Sequence, residues 1–595
     1  MAPNHVGFSF LLAFTSALAI SLGLVPLVHK FATAMGWKDV PDAFKKDGSG
    51  PSLNSRRVHS KPVPRIGGLA IVVSFFMTNF FLAFELEPIL GIYFISLIIF
   101  ALGIIDDVRP LSAVLRLVIQ LGCASAVVWS SGLIITEVSL SPQTQFSLPT
   151  PVGFFCSVFV IIGAINATNM ADGLDGLAGG LILIAGALLS FLYFLRTDDV
   201  YVLAMISLPL VGAIFGFLRY NTHPASIFMG DGGSNWLGFV IGVLMLIMFC
   251  NVSFDVMGQQ GHIFVPIEGP PLPFVAILLT LALPVFDTFS VLMVRLWNRR
   301  GLMDADKSHF HHTMLRIGLT HSQSVTALYL LTLVFGLTGV VPCVFPDLNV
   351  WWVSYLGAIL LVVTILSTLR IDSQFVEMLK VNKELLLQKR VIGPKIVPII
   401  ASWESVNRLV VMGILMGAPL FAGVPSQTLG YISVIAAVCM VVSFIYRPAK
   451  DDFIESLILS IGAGVLLTTM NQKGMWIELA GERYNVRSIY NGMFVFLFFS
   501  TLLFSIATIR RKYFITTPSD FLVLTLPLLF FLVPEPYNSE YHMNIISLRC
   551  LVIFVVLRTL ARRRKKYITQ VRVVTTFALC YFVATSVLGL RIIYH

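Results

Sequence analysis

Apolar runs of about 17 to 25 residues recur from one end of the chain to the other, and this recurrence limits the fold more than any other feature. A run of this length crosses roughly 30 Å of hydrocarbon as a helix, and a helix satisfies its own backbone hydrogen bonds in lipid. The runs do not alternate as the strands of a membrane β-barrel do. Only 12% of the 595 residues are charged, against about 25% in soluble domains. The predicted fold class is therefore an all-α polytopic membrane protein.

The apolar runs fall into two blocks. About eleven lie between residues 6 and 369, and about seven lie between residues 407 and 592. The predicted domains are a catalytic membrane domain over residues 1–370, a polar cytoplasmic linker over 371–405 and a multi-span domain over 406–595, to which the sequence gives no function. The first run lacks a basic stretch before it and a cleavage site after it, so we interpret it as a retained span.

The distribution of lysine and arginine predicts the orientation. Loop 30–65 carries eight of these residues and loop 297–322 carries four, whereas loops 133–150 and 252–271 carry none. Basic loops stay in the cytoplasm, so loops 30–65 and 297–322 are predicted to be cytoplasmic. The N-terminus, one span before loop 30–65, is then outside, and the same alternation through the second block places the C-terminus outside as well. The net charge of +10 then reflects contact with lipid headgroups, and no nucleic-acid partner is predicted.

The unusual polar residues of the first block gather in its predicted cytoplasmic loops. This arrangement is typical of a membrane enzyme, whereas a transporter places polar residues near mid-membrane on several helices. A transporter or flippase for a nucleotide-sugar or lipid-linked sugar is the alternative interpretation, and an inactive homologue acting as a scaffold is a third.

Two loops combine carboxylates with amides. Asp106 and Asp107 end the third run, where acids near hydrocarbon are costly and usually functional, although they could simply cap the next helix. After the fifth run, polar residues recur at a spacing of three; if the helix continues through them, they form one strip of oxygen ligands. The strip consists of Asn166, Asn169, Asp172 and Asp175.

Two further loops carry an acid and three histidines. Asp231 lies among glycines directly before an apolar run, which suits a Mg²⁺ ligand beside phosphate-binding amides, or else a helix cap. His309, His311 and His312 could suggest zinc, but no cysteine or His-Glu-x-x-His partner is present. Histidines that donate to phosphate or move a proton are more plausible.

These loops, with the basic loop His59–Gly68, resemble those of the polyprenyl-phosphate N-acetylhexosamine-1-phosphate transferases of glycosyltransferase family 4. The resemblance covers about residues 6–370 in matching order and spacing. Its motifs are H-x-x-P-x-P-R-x-G-G from His59, the acidic pair, N-A-x-N-x-x-D-G-L-D-G-L-A from Asn166, F-M-G-D from Phe228 and H-x-H-H from His309. A branch of the family that makes lipid-linked muramoyl-pentapeptide has three consecutive histidines, so H-x-H-H resembles the N-acetylglucosamine branch instead.

The resemblance implies a role for each matching residue. Asp231 and Asn169 would bind Mg²⁺, with Mn²⁺ as an alternative, together with the donor pyrophosphate. Asp106 and Asp107 would face the polyprenyl phosphate, and the three histidines would contact the donor. The uridine pocket would be lined by Asp172, Asp175, Asn221 and Phe228. Further substrate contacts would come from His59, Arg65, Arg116, Asn166 and Asp306, although the family often has lysine where Arg116 stands.

The function that this resemblance implies is transfer of N-acetylglucosamine 1-phosphate, or a related sugar 1-phosphate, from a UDP-sugar to a polyprenyl phosphate. UMP would be released, and the product would start synthesis of a cell-surface polysaccharide. The partners would be the two substrates, membrane lipid and, in a homodimer, a second copy of the chain. The expected location is the cytoplasmic membrane of a bacterium, with the active site on the cytoplasmic side.

Overall fold

The computed structural model describes residues 3–39, 62–82, 89–141, 143–197, 202–254, 264–267, 271–297, 309–316, 318–345, 350–369, 406–412, 414, 476–479, 482–485, 492–497, 499–500, 517–525 and 543–563. The chain divides into two compact units, Met1–Leu386 and Leu387–His595. The residues of the predicted linker, 371–405, lie outside the described segments. The predicted domain boundaries therefore stay a prediction.

Helices make up nearly all of the described part of the first unit, which confirms the all-α fold class. They are α1 (Pro3–Ala34), α2 (Gly68–Phe81), α3 (Leu90–Val108), α4 (Ala113–Ser131), α5 (Thr150–Ala171), α6 (Leu177–Arg196), α7 (Leu208–Asn221), α8 (Gly230–Cys250), α9 (Phe274–Thr280), α10 (Ala282–Trp297), α11 (Phe310–Arg316), α12 (His321–Val344) and α13 (Trp352–Leu369). A π-helical turn, Leu203–Ser207, precedes α7.

Seven helices among the described residues are long and apolar enough to cross a membrane: α1, α3, α4, α5, α6, α8 and α12. Helices α9 and α10 together make an eighth candidate. The predicted numbers of spans, about eleven and about seven, stay predictions.

The apolar run over residues 272–296 forms a broken helix and not a straight one. The chain bends by 90° between α9 and α10. Pro284 explains the break, because in a continuous helix its ring would clash with the carbonyl of Thr280 four residues earlier, and its missing N–H would leave that carbonyl unbonded. Helix α10 therefore leaves the direction of α9.

Helices α6 and α8 form the centre of this unit. About nine tenths of the apolar stretch of each is buried, with 89% in both cases, whereas only 28% of that of α4 is buried. Helix α8 packs most extensively against α5 and α3, and it also contacts α6 and α2. The first turn of α8, which carries Asp231, therefore lies among the ends of several other helices.

Short antiparallel hairpins occupy loops of the first unit. They pair β1 (Lys38–Asp39) with β2 (Val63–Pro64), β3 (Glu137–Ser141) with β4 (Thr144–Ser147), and β5 (Val252–Phe254) with β6 (Phe264–Pro266). Strand β2 lies directly before α2, in the basic loop.

The second unit contains a further hairpin of β7 (Trp476–Leu479) and β8 (Glu482–Asn485), and helices α14 (Pro518–Thr525) and α15 (Met543–Arg563). Arg558 of α15 forms a buried ion pair with Asp520 of α14, with 2.7 Å between Nε and Oδ1. This pair links the two helices within the unit.

Candidate active site

Acidic side chains converge where α3 and α5 end and α8 begins. Gly103 of α3 lies directly against the start of α8, and a Cβ at this position would come within 2.5 Å of the Asp231 carbonyl oxygen and of Gly232. Only glycine allows the two backbones to approach this closely. The acids Asp106 and Asp107, one turn further along α3, are thereby brought beside Asp231.

Arg116 of α4 joins two of the predicted site acids. Its guanidinium donates to Oδ2 of Asp106 at 2.5 Å and lies 3.8 Å from Oδ2 of Asp231. The other oxygen of Asp106 accepts a hydrogen bond from the backbone N–H of Leu111 at 2.7 Å. The Asp106 side chain is only 6% exposed and that of Arg116 is 31% exposed, so the acid is held and its partner remains accessible.

Asn169 and Asp231, the two predicted metal ligands, lie in direct contact. Nδ2 of Asn169 donates to Oδ1 of Asp231 at 3.2 Å and to Oγ of Ser234 at 3.0 Å. The Asn169 amide is thus oriented by two residues of α8. The role of this pair in metal binding stays a prediction.

The two carboxylate oxygens of Asp107 differ in their surroundings. Its Oδ2 accepts from the backbone N–H of Gly232 at 3.2 Å. Its Oδ1 is buried and finds no hydrogen-bond partner among the residues that the structure describes. A buried anionic oxygen is costly unless it is paired or binds a cation. Together with Asp231, this oxygen belongs to the hard donor type that Mg²⁺ and Mn²⁺ prefer, so the residues present fit a divalent cation.

The strip predicted over residues 166–175 is only partly helical. Helix α5 ends at Ala171, and the backbone of Asp172 is no longer helical, so Asp175 leaves the line of the other three residues. Gly173 follows directly, and Gly176 comes three residues later; both favour the early end of the helix. The amide Nδ2 of Asn166 donates to Oε1 of Gln120 on α4 at 3.2 Å and to the Ile162 carbonyl at 2.9 Å.

Asp172 follows the last turn of α5 and is half-buried. Burial raises the pKa of its carboxyl to about 7, and the negative charge of Asp231 acts in the same direction. The positive charge of Arg65 opposes this rise, which places that arginine within electrostatic reach of the acids. Asp172 therefore changes its charge near neutral pH.

Asp175 belongs to a second cluster with His223 and His321. Its Oδ2 lies 2.7 Å from Nδ1 of His223 and accepts from the Ala225 N–H at 3.1 Å. Burial alone would raise the pKa of Asp175, but these hydrogen bonds outweigh it, and the pKa lies below its ordinary value. The backbone N–H of Asp175 donates to Nε2 of His321 at 3.2 Å.

The ligand atoms of this second cluster lie close enough to hold a metal ion. However, the two imidazoles stack at 4.1 Å with only 19° between their planes, so their lone pairs run nearly parallel and do not converge on one ion. Nε2 of His321 already accepts a backbone N–H. Hydrogen bonding accounts for the cluster, which ties the loop after α5 to the loop after α7 and to the start of α12.

Asn221 and Phe228 were both predicted for the uridine pocket. Asn221 is the last residue of α7, and Phe228 lies in the loop before α8. Oδ1 of the buried Asn221 accepts from the Gly176 N–H at 3.0 Å, and its Nδ2 donates to the Ile227 carbonyl at 2.9 Å. Its amide therefore shapes the loops. The backbone of Phe228 donates to the Pro64 carbonyl at 2.7 Å and accepts from the Gly67 N–H at 2.8 Å.

The three predicted histidines meet the loop after α5. The rings of His309 and His311 are parallel within 9°, 5.6 Å apart, and His312 lies 4.3 Å from His311. A Cβ on Gly173 would lie 2.4 Å from Nε2 of His311, so this ring rests directly on Gly173. Burial lowers the pKa of His311 to about 3, and the neighbouring histidines add to the shift, so His311 is neutral at neutral pH.

Two predicted site residues, His59 and Asp306, lie outside the described residues. The sequence also left five contacting residues without a role: Gln120, His223, Ser234, Asp287 and His321. Asp287 and Gln120 carried a signal, since each is a polar residue inside an apolar run. No sequence feature pointed to His223 and His321, because their partner Asp175 is distant in sequence.

Comparison with known proteins identifies relatives of this chain. The family model described as Glycosyl transferase family 4 matches residues 89–249, a stretch that contains both Asp106 and Asp231. A Bacillus subtilis protein named a probable undecaprenyl-phosphate N-acetylglucosaminyl 1-phosphate transferase is 34% identical over 331 residues, which are 55% of this chain and 84% of that protein.

Two other relatives have similar names. A decaprenyl-phosphate N-acetylglucosaminephosphotransferase of Mycolicibacterium smegmatis is 31% identical, over 52% of this chain and 79% of its own length. An undecaprenyl-phosphate alpha-N-acetylglucosaminyl 1-phosphate transferase of Escherichia coli O157:H7 is 25% identical, over 50% and 77% respectively.

Proposed function

This chain belongs to glycosyl transferase family 4, and we propose that it transfers N-acetylglucosamine 1-phosphate from UDP-N-acetylglucosamine to a polyprenyl phosphate. The observation that supports this most directly is the convergence of Asp106, Asp107, Asp172 and Asp231 with two arginines at the ends of membrane helices. Such a cluster can place two anionic phosphates in contact at the edge of the membrane. The names of the relatives supply the sugar and the class of acceptor.

In the reaction, an oxygen of the polyprenyl phosphate attacks the β-phosphorus of the UDP-sugar. The bond from that phosphorus to the bridging oxygen breaks, and the products are polyprenyl diphosphate N-acetylglucosamine and UMP. The second pKa of a phosphate monoester is about 6, so the acceptor is largely a dianion at neutral pH and needs little help from a base. The work of the protein is then positioning and charge neutralisation.

Arg116 and Arg65 provide the positive charge near the acids. Arg116 already contacts Asp106 and Asp231, and its exposed part can meet a substrate phosphate without leaving Asp106. Asp106 is held by Arg116 and by Leu111, so we assign it to orienting the acceptor rather than to removing a proton.

Asp231 and Asn169, with Oδ1 of Asp107, would hold Mg²⁺ or Mn²⁺. A divalent cation at this position would neutralise the charge that develops on the leaving nucleotide. The neutral His311 can donate one hydrogen bond to a donor oxygen, and Phe228 and Asp175 would contact the nucleoside.

The proposed setting is the cytoplasmic membrane of a bacterium, with the site on the cytoplasmic side and both termini outside, in a chain that can pair as a homodimer. Residues 1–370 form the transferase in this proposal. The domain over residues 406–595 receives no catalytic role.

The test is a donor screen with the purified full-length chain in sealed lipid vesicles. UDP-N-acetylglucosamine, other UDP-sugars, undecaprenyl phosphate and Mg²⁺ are mixed, and UMP and the lipid product are measured by mass spectrometry. Stoichiometric UMP and lipid-linked N-acetylglucosamine are expected. Movement of nucleotide-sugar or lipid across the bilayer without UMP release would favour the transporter alternative and refute the transferase.

A further inference from the structure

A buried acid outside the acidic cluster contacts the histidine loop. Asp287 lies on α10, where it is the only charged residue between Ala282 and Leu292, and it is only 8% exposed. A carboxylate in such surroundings is costly unless its oxygens accept hydrogen bonds. Both of them do.

The two oxygens of Asp287 bind two neighbouring residues. Oδ2 lies 3.1 Å from Nδ1 of His309, and Oδ1 accepts from the backbone N–H of Phe310 at 2.9 Å. His309 is itself only 8% exposed. A carboxylate is an acceptor, so Nδ1 of His309 must carry the proton. Nε2 is then a hydrogen-bond acceptor, which can face a hydroxyl or amide group of a substrate or accept a proton.

His309 is linked to the candidate active site through His311. Its ring is parallel to that of His311, and His311 rests on Gly173 between Asp172 and Asp175. The bend at Leu281 gives α10 its own direction, and Asp287 lies five residues after the start of that helix. The contact with Asp287 therefore connects α10 to the loop where the donor would bind.

We propose that Asp287 is the positioning residue of the histidine loop, which fixes the tautomer and orientation of His309 so that Nε2 accepts a hydrogen bond from the donor sugar. This inference rests on the proposed transferase function. It assigns no bond making to Asp287, which acts through His309. An acid that sets the tautomer of a histidine is a recurring device in enzymes that use imidazole.

Asp287→Asn separates this role from a purely structural one. The Asn oxygen still accepts from the Phe310 N–H, and this contact turns the NH₂ group toward His309. Nδ1 must then become an acceptor, and the proton moves to Nε2. A residue that only anchored α11 would tolerate this change. The proposal instead predicts a loss of about 100-fold in kcat with an unchanged thermal midpoint, because the fold is kept and the tautomer is wrong.

The controls are a neighbouring serine and a double-mutant cycle. Ser290→Ala removes a hydrogen bond to the Asp287 carbonyl on the same helix without touching His309, and it should behave like wild type. In a His309→Gln background, Asp287→Asn should cost no further activity, because the two residues act as one unit. Wild-type kcat in Asp287→Asn, or losses that multiply in the double variant, would overturn the proposal.

A measurement on the unmodified protein covers the case in which Asp287→Asn fails to fold. ¹⁵N NMR of histidine-labelled wild-type protein, with His309 assigned by difference from His309→Gln, should show a protonated Nδ1 and an unprotonated Nε2. The opposite tautomer would overturn the assignment. This spectrum does not depend on turnover, so it tests the effect of Asp287 on the His309 tautomer even if wild type makes no UMP. Absence of UMP would refute the proposed transferase function instead.

Discussion

Substitution of Gly173 by alanine should misplace His311 and slow transfer. The Cβ would lie 2.4 Å from Nε2, 2.7 Å from Cε1 and 3.2 Å from Cδ2 of that ring. Ordinary contact begins near 3.4 Å, so the ring must retreat by about 1 Å. It has little room to do so, because His311 is 3% exposed and is flanked by the rings of His309 and His312.

The expected cost of this retreat is about 100-fold in kcat, the usual penalty when a contact to the reacting groups is misplaced by 1 Å. The fold should survive, since Gly173 is exposed and its φ is not positive, so alanine can adopt its backbone conformation. UMP release in nanodiscs, with thermal unfolding measured in parallel, provides the assay.

Gly163→Ala on α5 is the matched control, because a Cβ there meets nothing within 4 Å, and it should keep wild-type turnover. If the clash causes the loss, Gly173→Ala should add nothing in a His311→Ala background. Full activity in Gly173→Ala, or an undiminished effect in that background, would refute the reasoning.

Three further predictions follow from the acidic cluster and from the division of the chain. Asp231→Ala should reduce transfer by at least about 100-fold at unchanged thermal midpoint, and turnover near wild type with Mg²⁺ present would remove Asp231 from the site. The pKa of Asp172 is raised to about 7, so folding opposes the loss of its proton. In EDTA, wild type and Asp172→Asn should have equal free energies of unfolding below about pH 4; wild type should become the less stable of the two as the pH rises to 7, and the difference should stay constant above pH 7. Parallel curves of unfolding free energy against pH would contradict this. Residues 1–400 alone should convert both substrates to UMP and lipid product, and a monodisperse truncated protein that binds nucleotide but makes no UMP would show that the second unit contributes to catalysis.

The sequence predicts well those features that lipid and local geometry determine. The apolar runs became helices because a buried backbone in hydrocarbon has few other ways to satisfy its hydrogen bonds. The acids Asp106, Asp107 and Asp231 could be identified because charges at the ends of such runs are costly without a function.

Contacts between distant segments could not be predicted in this way. The partners Asp287 and His309 are 22 positions apart, and Asp175 and His321 are 146 apart, so no local spacing relates them. The bend before α10 did have a local cause in Pro284, but the uninterrupted hydropathy of the run obscured it.

The basic loop and the loop before α8 are joined through their main chains. Phe228 N–H donates to the Pro64 carbonyl, and the N–H groups of Gly67 and Gly68 donate to the carbonyls of Phe228 and Met229. These hydrogen bonds join main-chain atoms only, so a change of side chain does not remove them. If Arg65 and Phe228 contact the donor as proposed, their substitution should therefore change which nucleotide-sugar is preferred while Asp231 stays in place.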